Sequence, residues 1–426
     1  MGGLFAGARV AGGSVTLGFF ACALRCFVMN LPPSFAAEPA LAALARVRAD
    51  IQALHAYQVQ PADGLLKLDA MENPYSLPPE LQQALGERLG RVAINRYPGV
   101  RVNDLKAALA RHAGLPEGWT LMLGNGSDEL IALLALCCSR QDGEQPAAML
   151  APMPGFVMYP LAAHLHHMSF HAVPLRPDFQ LDEAAMLAAI ESLRPALLWL
   201  AHPNNPTGTL WDEAVMARLI EAQGRAGGMA VIDEAYQPFA ARTWLDAARQ
   251  RPAAHAHVLV MRTLSKFGLA GVRVGYLMGD ERLISQIDKA RPPYNLGSLN
   301  IECALFALEH AGVFDEQARL IRQERERLQA SLHRLPGTRA YPSEGNMVLL
   351  RVAPEGAPAS EAAAFAARVF EGMKARGVLV RDVSGMHPML AGCLRLTVGS
   401  ASDNARMLAA LTAALADALN AAIQPG

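Results

Sequence analysis

Short apolar runs recur along the middle of the chain: "TLMLG" (120–124), "AAMLA" (147–151), "ALLWLA" (196–201), "MAVIDE" (229–234), "HVLVM" (257–261) and "VGYLMG" (274–279). Stretches with helical spacing, such as 127–139 and 211–226, separate them. This alternation restricts the chain to an α/β architecture. The runs are continuously apolar rather than alternating, which argues for strands covered on both faces, as in a mostly parallel sheet. In such sheets ligands collect at the carboxyl ends of the strands, where the polar residues of this sequence also cluster. Beyond about residue 300 the rhythm changes: a long charged helix at 313–335, "MVLLRV", a helix at 359–376, "GVLVRD", "CLRLTVG" and a closing Ala-rich helix describe a second, smaller α+β domain. The expected division is a leader or extension at 1–36, an N-terminal arm at 37–65, a large domain at 66–298 and a small C-terminal domain at 299–426.

With 426 residues, 52% of them hydrophobic and 18% charged, the chain is long enough for two domains around a large core. A net charge of -1, with 38 Lys and Arg scattered through the chain, provides no basic field for nucleic acid or an acidic membrane surface, so the expected partner is a small molecule. Six cysteines without repeated CxxC spacing suit reduced thiols in a cytoplasm. The segment "VTLGFFACALRCFVM" resembles the apolar region of a signal peptide, but Arg25 interrupts it, and initiation at Met29 is the competing explanation. A spanning helix needs ~18 uninterrupted apolar residues, which this segment lacks.

The chemistry lies at the run ends. "LGNGSDELIALLAL" reads as strand, glycine turn and helix, with Ser127 or Asp128 as caps, so that free N–H groups and the positive helix end face one spot suited to a phosphate. Gly-Asn-Gly is equally an ordinary tight turn. "HPNNPTG" (202–208) is a rigid turn of backbone-directing residues in which an asparagine amide can still meet a ligand oxygen. "VIDEAY" (231–236) puts Asp233 at the end of an apolar strand, where a carboxylate needs a cation or donors, with Tyr236 three residues on. "RTLSKFGLAGVRVG" (262–275) places the ammonium of Lys266 in apolar company, with Ser265 and Arg273 nearby. Burying an unpaired ammonium is costly, so this lysine needs a purpose. One ligand uses the whole set: pyridoxal 5'-phosphate, whose aldehyde bonds a lysine, whose ring nitrogen wants a carboxylate, and whose phosphate wants N–H groups, hydroxyls and an arginine.

"HPNNPTG", "DEAY", "RTLSKFGLAGVRVG" and "CLRLTVG", in that order and with these gaps, resemble the fold-type I aminotransferases that depend on pyridoxal phosphate. "MENPYS", "NRYPG", "LGNGSDELI" and "GVLVRD" sharpen the resemblance toward the histidinol-phosphate aminotransferase family, over roughly residues 65 to 415.

The resemblance implies roles residue by residue. Lys266 is the lysine that bonds the cofactor and moves the substrate proton, with its pKa depressed from about 10.4 toward neutrality. Asp233 holds the ring nitrogen protonated, Asn205 and Tyr236 contact the ring oxygen, and Phe156 stacks on the ring. Gly126, Ser127, Asp128, Thr263, Ser265 and Arg273 surround the phosphate, with Tyr97 reaching in from the other subunit of a homodimer. Arg395 clamps the substrate α-carboxylate through its planar fork, while Arg381 and Tyr75 hold the far phosphate of the substrate.

Three departures from the family pattern stand out. Met71 replaces a frequent Asn, Phe156 replaces a frequent Tyr and so lacks its hydroxyl, and Lys266 to Arg273 spans seven residues where some relatives have eight. Other candidates read structurally: His164, His166, His167 and His171 as surface rather than a metal site, and Cys137 and Cys138 as core.

The implied activity is transamination of L-histidinol phosphate with 2-oxoglutarate. An aromatic amino-acid aminotransferase, a phospho-amino-acid decarboxylase and a non-catalytic regulatory module of the same fold remain open, although the last normally carries a DNA-binding domain and neither end shows one.

Overall fold

Each apolar run has become a strand. The computed structural model describes residues 38–56, 60–139, 145–354 and 356–423; the leader expected at 1–36 lies outside them. The strands are β1 (Leu66–Lys67), β2 (Trp119–Asn125), β3 (Ala148–Met153), β4 (Ser169–Pro174), β5 (Leu197–Ala201), β6 (Met229–Asp233), β7 (Val258–Thr263), β8 (Val274–Asp280), β9 (Arg339–Ala340), β10 (Met347–Arg351), β11 (Val378–Leu379), β12 (Arg381–Asp382) and β13 (Cys393–Thr397). The chain divides into a unit ending at Pro61, within which helices Glu38–Leu44 and Ala49–Gln52 are described, and a unit running from Ala62 to Gly426.

In the larger unit a seven-stranded sheet has the order β2-β8-β7-β6-β5-β3-β4. Neighbours run parallel except β8, which is antiparallel to both β2 and β7. Continuous burial does not encode direction, so the reversal of β8 was not readable from its sequence. Strand β4 carries no apolar run; its half-exposed positions and terminal Pro174 suit the sheet edge it occupies.

The period of two sorts side chains onto opposite faces. Leu198, Leu200, Ala230, Ile232, Val258, Val260 and Tyr276 join one core cluster, and Trp199, Val231, Leu259, Met261 and Leu277 join the other. Most of these are fully buried, each worth ~1.5–3 kcal/mol for a Val, Leu or Ile removed from water. Connecting helices begin where Asp182 and Asp212 cap them, accepting from Ala185 N and Val215 N. Cys138 packs against the second cluster, but Cys137 is exposed rather than core, because the helix Gly126–Cys138 turns its last residues outward.

A four-stranded antiparallel sheet, ordered β12-β13-β10-β9, is covered by helices Ala359–Ala375 and Ala401–Ile423. Strands β1 and β11 pair in parallel, which brings residues 66–71 against this second sheet.

Candidate active site

The carboxyl ends of β2, β3, β5, β6 and β7 and the amino end of β8 open on one edge of the large sheet, and the segments following them bring distant residues together. Asp233 closes β6 and is almost fully buried. Its Oδ2 accepts 2.6 Å from Tyr159 Oη, and its Oδ1 accepts 3.0 Å from Ala235 N. Burial raises this carboxyl to about 6, against the downward pull of those two bonds. Tyr159 was not singled out in the sequence, since one tyrosine in a helix turn carries no pattern. It is buried, stacks on Trp199 at 4.6 Å and meets Phe156 edge-on at 5.7 Å, so it ties Phe156 to the carboxylate.

Lys266 lies in the turn Ser265–Leu269 after β7, which Gly268 opens with φ 137° where a Cβ would meet the Phe314 ring. Its Nζ donates 2.9 Å to the Ala70 carbonyl and lies 5.9 Å from the centre of the Tyr236 ring. Burial lowers this ammonium to about 8, with the Arg395 guanidinium the next contributor. Tyr236 precedes the turn Gln237–Phe239, and burial pushes its phenol well up.

The segment expected to cradle a phosphate is built around glycines. Gly126 opens its helix with φ 76°, and a Cβ there would strike the Arg273 guanidinium. At Gly275 a Cβ would lie 2.6 Å from the Gly126 carbonyl carbon, so the start of the helix lies this close to β8 only because Gly275 has no side chain. Arg273, itself at φ 56°, reaches Ser265 Oγ at 3.3 Å and Asp128 at 3.6 Å. Thr263 Oγ1 accepts from Ser265 N at 3.1 Å and lies 2.9 Å from Ser265 Oγ. Neither Ser127 nor Asp128 caps the helix: its N-cap is Asn125, whose N–H is taken at 2.6 Å by Glu129 reaching back, while Asp128 turns to Arg273.

A second group comes from the small sheet. Arg395 on β13 is buried and donates 2.8 Å to Asn205 Oδ1 and 2.6 Å to the Asp69 carbonyl. Arg381 on β12 stands directly opposite Arg395 in the antiparallel ladder. Like charges paired this way disfavour the sheet, so an anion between them would relieve it. The carbonyls of Asp69 and Ala70 thus face both site cations. Met71, held at φ 52°, turns the chain there with its N–H on Thr397 Oγ1 at 3.1 Å and its carbonyl on Asn346 Nδ2 at 3.0 Å. Tyr75 is half-buried in the following loop, with its N–H on Asn73 Oδ1 at 2.9 Å; burial raises its phenol, followed by Glu324 and Asp403. Tyr97 lies elsewhere: 75% exposed, it stacks on Tyr294 at 4.2 Å.

A family model described as aminotransferase class I and II matches residues 63–413. The chain belongs to that family. Among curated aminotransferases, a histidinol-phosphate aminotransferase of Paracidovorax citrulli (strain AAC00-1) is 63% identical over 375 residues, covering 88% of this chain and 98% of that one. The solved structure of histidinol-phosphate aminotransferase from Sinorhizobium meliloti in complex with pyridoxal-5'-phosphate superposes with a TM-score of 0.74 at 24% identity, covering 88% of this aminotransferase and 99% of that chain. L-threonine-O-3-phosphate decarboxylase from Porphyromonas gingivalis also matches, with TM-score 0.66 and 21% identity over 83% of this chain and 100% of that one. The aminotransferase fold therefore does not by itself select transamination over decarboxylation.

Proposed function

We propose that the chain transaminates L-histidinol phosphate with 2-oxoglutarate, giving an imidazole-acetol phosphate and glutamate, in histidine biosynthesis, with pyridoxal 5'-phosphate held at Lys266. The observation that carries the substrate is 63% identity, over 98% of its length, to a relative named for that activity.

The residues present fit the cofactor. The chain packs closely at Gly126 and Gly275: a Cβ at Gly126 would strike the Arg273 guanidinium and one at Gly275 the Gly126 backbone, so these glycines let the helix start and Arg273 converge on one spot. Free N–H groups of the helix start, with the Ser265 and Thr263 hydroxyls, suit a phosphate. Asp233 is a buried carboxylate whose partners are a phenol and an amide, and it would hold a proton on the ring nitrogen. Asn205 gives its Oδ1 to Arg395, which leaves the amide nitrogen as the donor end toward the ring oxygen, beside Tyr236. Phe156 supplies a stacking face. When bound, the cofactor supplies the electron sink that makes a proton on the substrate Cα removable. Lys266, whose amine burial lowers to about 8, would take that proton and return it two atoms along, at the cofactor C4'. Glutamate offers carboxylates and histidinol phosphate offers a phosphate ester, and the facing pair Arg395 and Arg381, with Tyr75, would receive either anion.

Residues 66–298 and 299–426 are read as the large cofactor-binding and small substrate-clamping domains. A homodimer would cover the exposed apolar residues Ile94, Tyr97, Val100 and Tyr294, and would carry Tyr97 to the partner's cofactor phosphate. A cytoplasmic location suits a biosynthetic enzyme with no helix, among the described residues, long and apolar enough to cross a membrane.

The test is a single-turnover comparison on loaded protein. Histidinol phosphate should discharge the visible cofactor band faster than phenylalanine, and 2-oxoglutarate should restore it. A faster reaction with phenylalanine would make the enzyme an aromatic aminotransferase. Carbon dioxide release from a phosphorylated amino acid, with no amino transfer, would make it a decarboxylase.

A further inference from the structure

Directly behind the site lies a buried charged cluster with no part in the chemistry above. Glu234 follows Asp233, and Arg262 precedes Thr263, so by alternation both project to the opposite face of the sheet. Glu234 is fully buried and Arg262 nearly so. Arg262 Nε and Nη2 lie 2.9 and 2.8 Å from Glu234 Oε2. Glu234 Oε1 accepts 2.6 Å from Trp244 N and 2.9 Å from Thr243 Oγ1, while Arg262 Nη2 donates 2.7 Å to Thr243 Oγ1. Tyr276 stands opposite Arg262 in the β7–β8 ladder and is buried there; burial raises its phenol, against the downward pull of the neighbouring Arg262 guanidinium.

Burying two charges is costly, and packed apolar side chains in their place are often neutral or stabilising, so stability alone is a poor reason for this cluster. Its placement offers a better one. Glu234 directly follows β6, and Arg262 and Tyr276 belong to β7 and β8; these adjacent strands present at their ends Asp233, then Thr263, Ser265 and Lys266, then Arg273. The backbone at this level is tied as well, with Glu234 N on the Met261 carbonyl and Leu264 N on the Val274 carbonyl, both at 2.8 Å. Ion pairs and bidentate bonds fix strand register and distance more tightly than apolar contacts, which tolerate sliding.

We propose that Glu234, Arg262 and Tyr276 form a positioning brace that sets Asp233 against Lys266 and Arg273. The brace touches neither cofactor nor substrate. It acts by holding three strand ends at the spacing that one bound molecule must span, and it rests on the cofactor reading above.

The experiment uses cofactor-loaded wild type, Glu234→Gln, Tyr276→Phe and Val258→Ala; Val258 is a buried residue at the far end of β7. Three quantities are read: Tm, pyridoxal phosphate affinity, and the midpoint of the visible band in a pH titration. Glu234→Gln should weaken affinity about tenfold and move the midpoint by roughly half a pH unit, and Tyr276→Phe should move both in the same direction by less. Val258→Ala should lower Tm with midpoint and affinity unchanged. A Glu234→Gln protein with lowered Tm but wild-type midpoint and affinity would overturn the brace and leave a purely structural ion pair. Should Glu234→Gln fail to fold, Tyr276→Phe decides on the same readouts: a moved midpoint supports the brace, an unmoved one overturns it. Wild type that takes up no cofactor would overturn the cofactor reading and the brace together, whereas a loaded wild type with unaltered variants overturns the brace alone.

Discussion

The two rims that meet at Lys266 solve different problems. On the large sheet, charged groups answer one another or a fixed target: Arg273 sits between Ser265 and Asp128, and Asp233 is set by Tyr159 and Ala235. On the small sheet, Arg381 and Arg395 face each other across β12 and β13, and Arg395 donates to a backbone carbonyl and an amide oxygen. The first arrangement suits a resident ligand, whose groups can be matched permanently. The second suits anions that arrive and leave, because neutral acceptors hold a guanidinium more weakly than a carboxylate does. The large rim should therefore control turnover, and the small rim should control substrate capture.

The largest effect should come from Lys266→Ala. Removing the proton-moving amine should cost at least about 10⁴-fold in kcat, with the fold retained by circular dichroism; near-normal turnover would break the division between the rims. Asp233→Asn comes next, with kcat reduced about 10³-fold and a counterintuitive gain in stability. Folding raises this carboxyl from 3.8 to about 6, so between those values the folded chain binds more protons than the unfolded one and stability falls as pH rises. Above that window the buried charge costs its full penalty, and Asp233→Asn should make the cofactor-free protein more stable by about 1–3 kcal/mol at pH 7, with no gain near pH 4. A denaturant melt at the two pH values checks the sign.

On the other rim, Arg395→Lys should lower kcat/KM about 10²-fold through KM while kcat changes much less. Arg381→Lys should do the same more mildly and more for histidinol phosphate than for glutamate. If either change fell on kcat alone, the capture role would be wrong. The smallest effect should be that of Tyr159→Phe. Loss of one hydrogen bond to a charged group, about 1.5–3 kcal/mol, should raise the Asp233 pKa and cut kcat roughly tenfold or somewhat more, read from the pH–rate profile.

The legible parts of this molecule were those in which one residue type answers one local need. Lys266 and Asp233 were conspicuous because each is a charge in an apolar run. What stayed hidden depends on partners far apart in sequence. Tyr159 finds Asp233 across 74 positions, and the carbonyls of Asp69 and Ala70 meet Arg395 and Lys266 only after β1 docks beside β11. The facing of Arg381 and Arg395 is a matter of register, which no single motif states. Strand β4 lacked the apolar pattern because it is an edge, and Glu129 takes the Asn125 N–H from one position beyond the one that the usual capping signature occupies.

The central claim, that this strand-end cluster holds pyridoxal phosphate through Lys266, is tested most directly by borohydride reduction of the loaded protein followed by peptide mass mapping. The cofactor mass should appear once per chain on the peptide containing Lys266, and should be absent from Lys266→Ala. Its appearance on another lysine, or on none, would contradict the account.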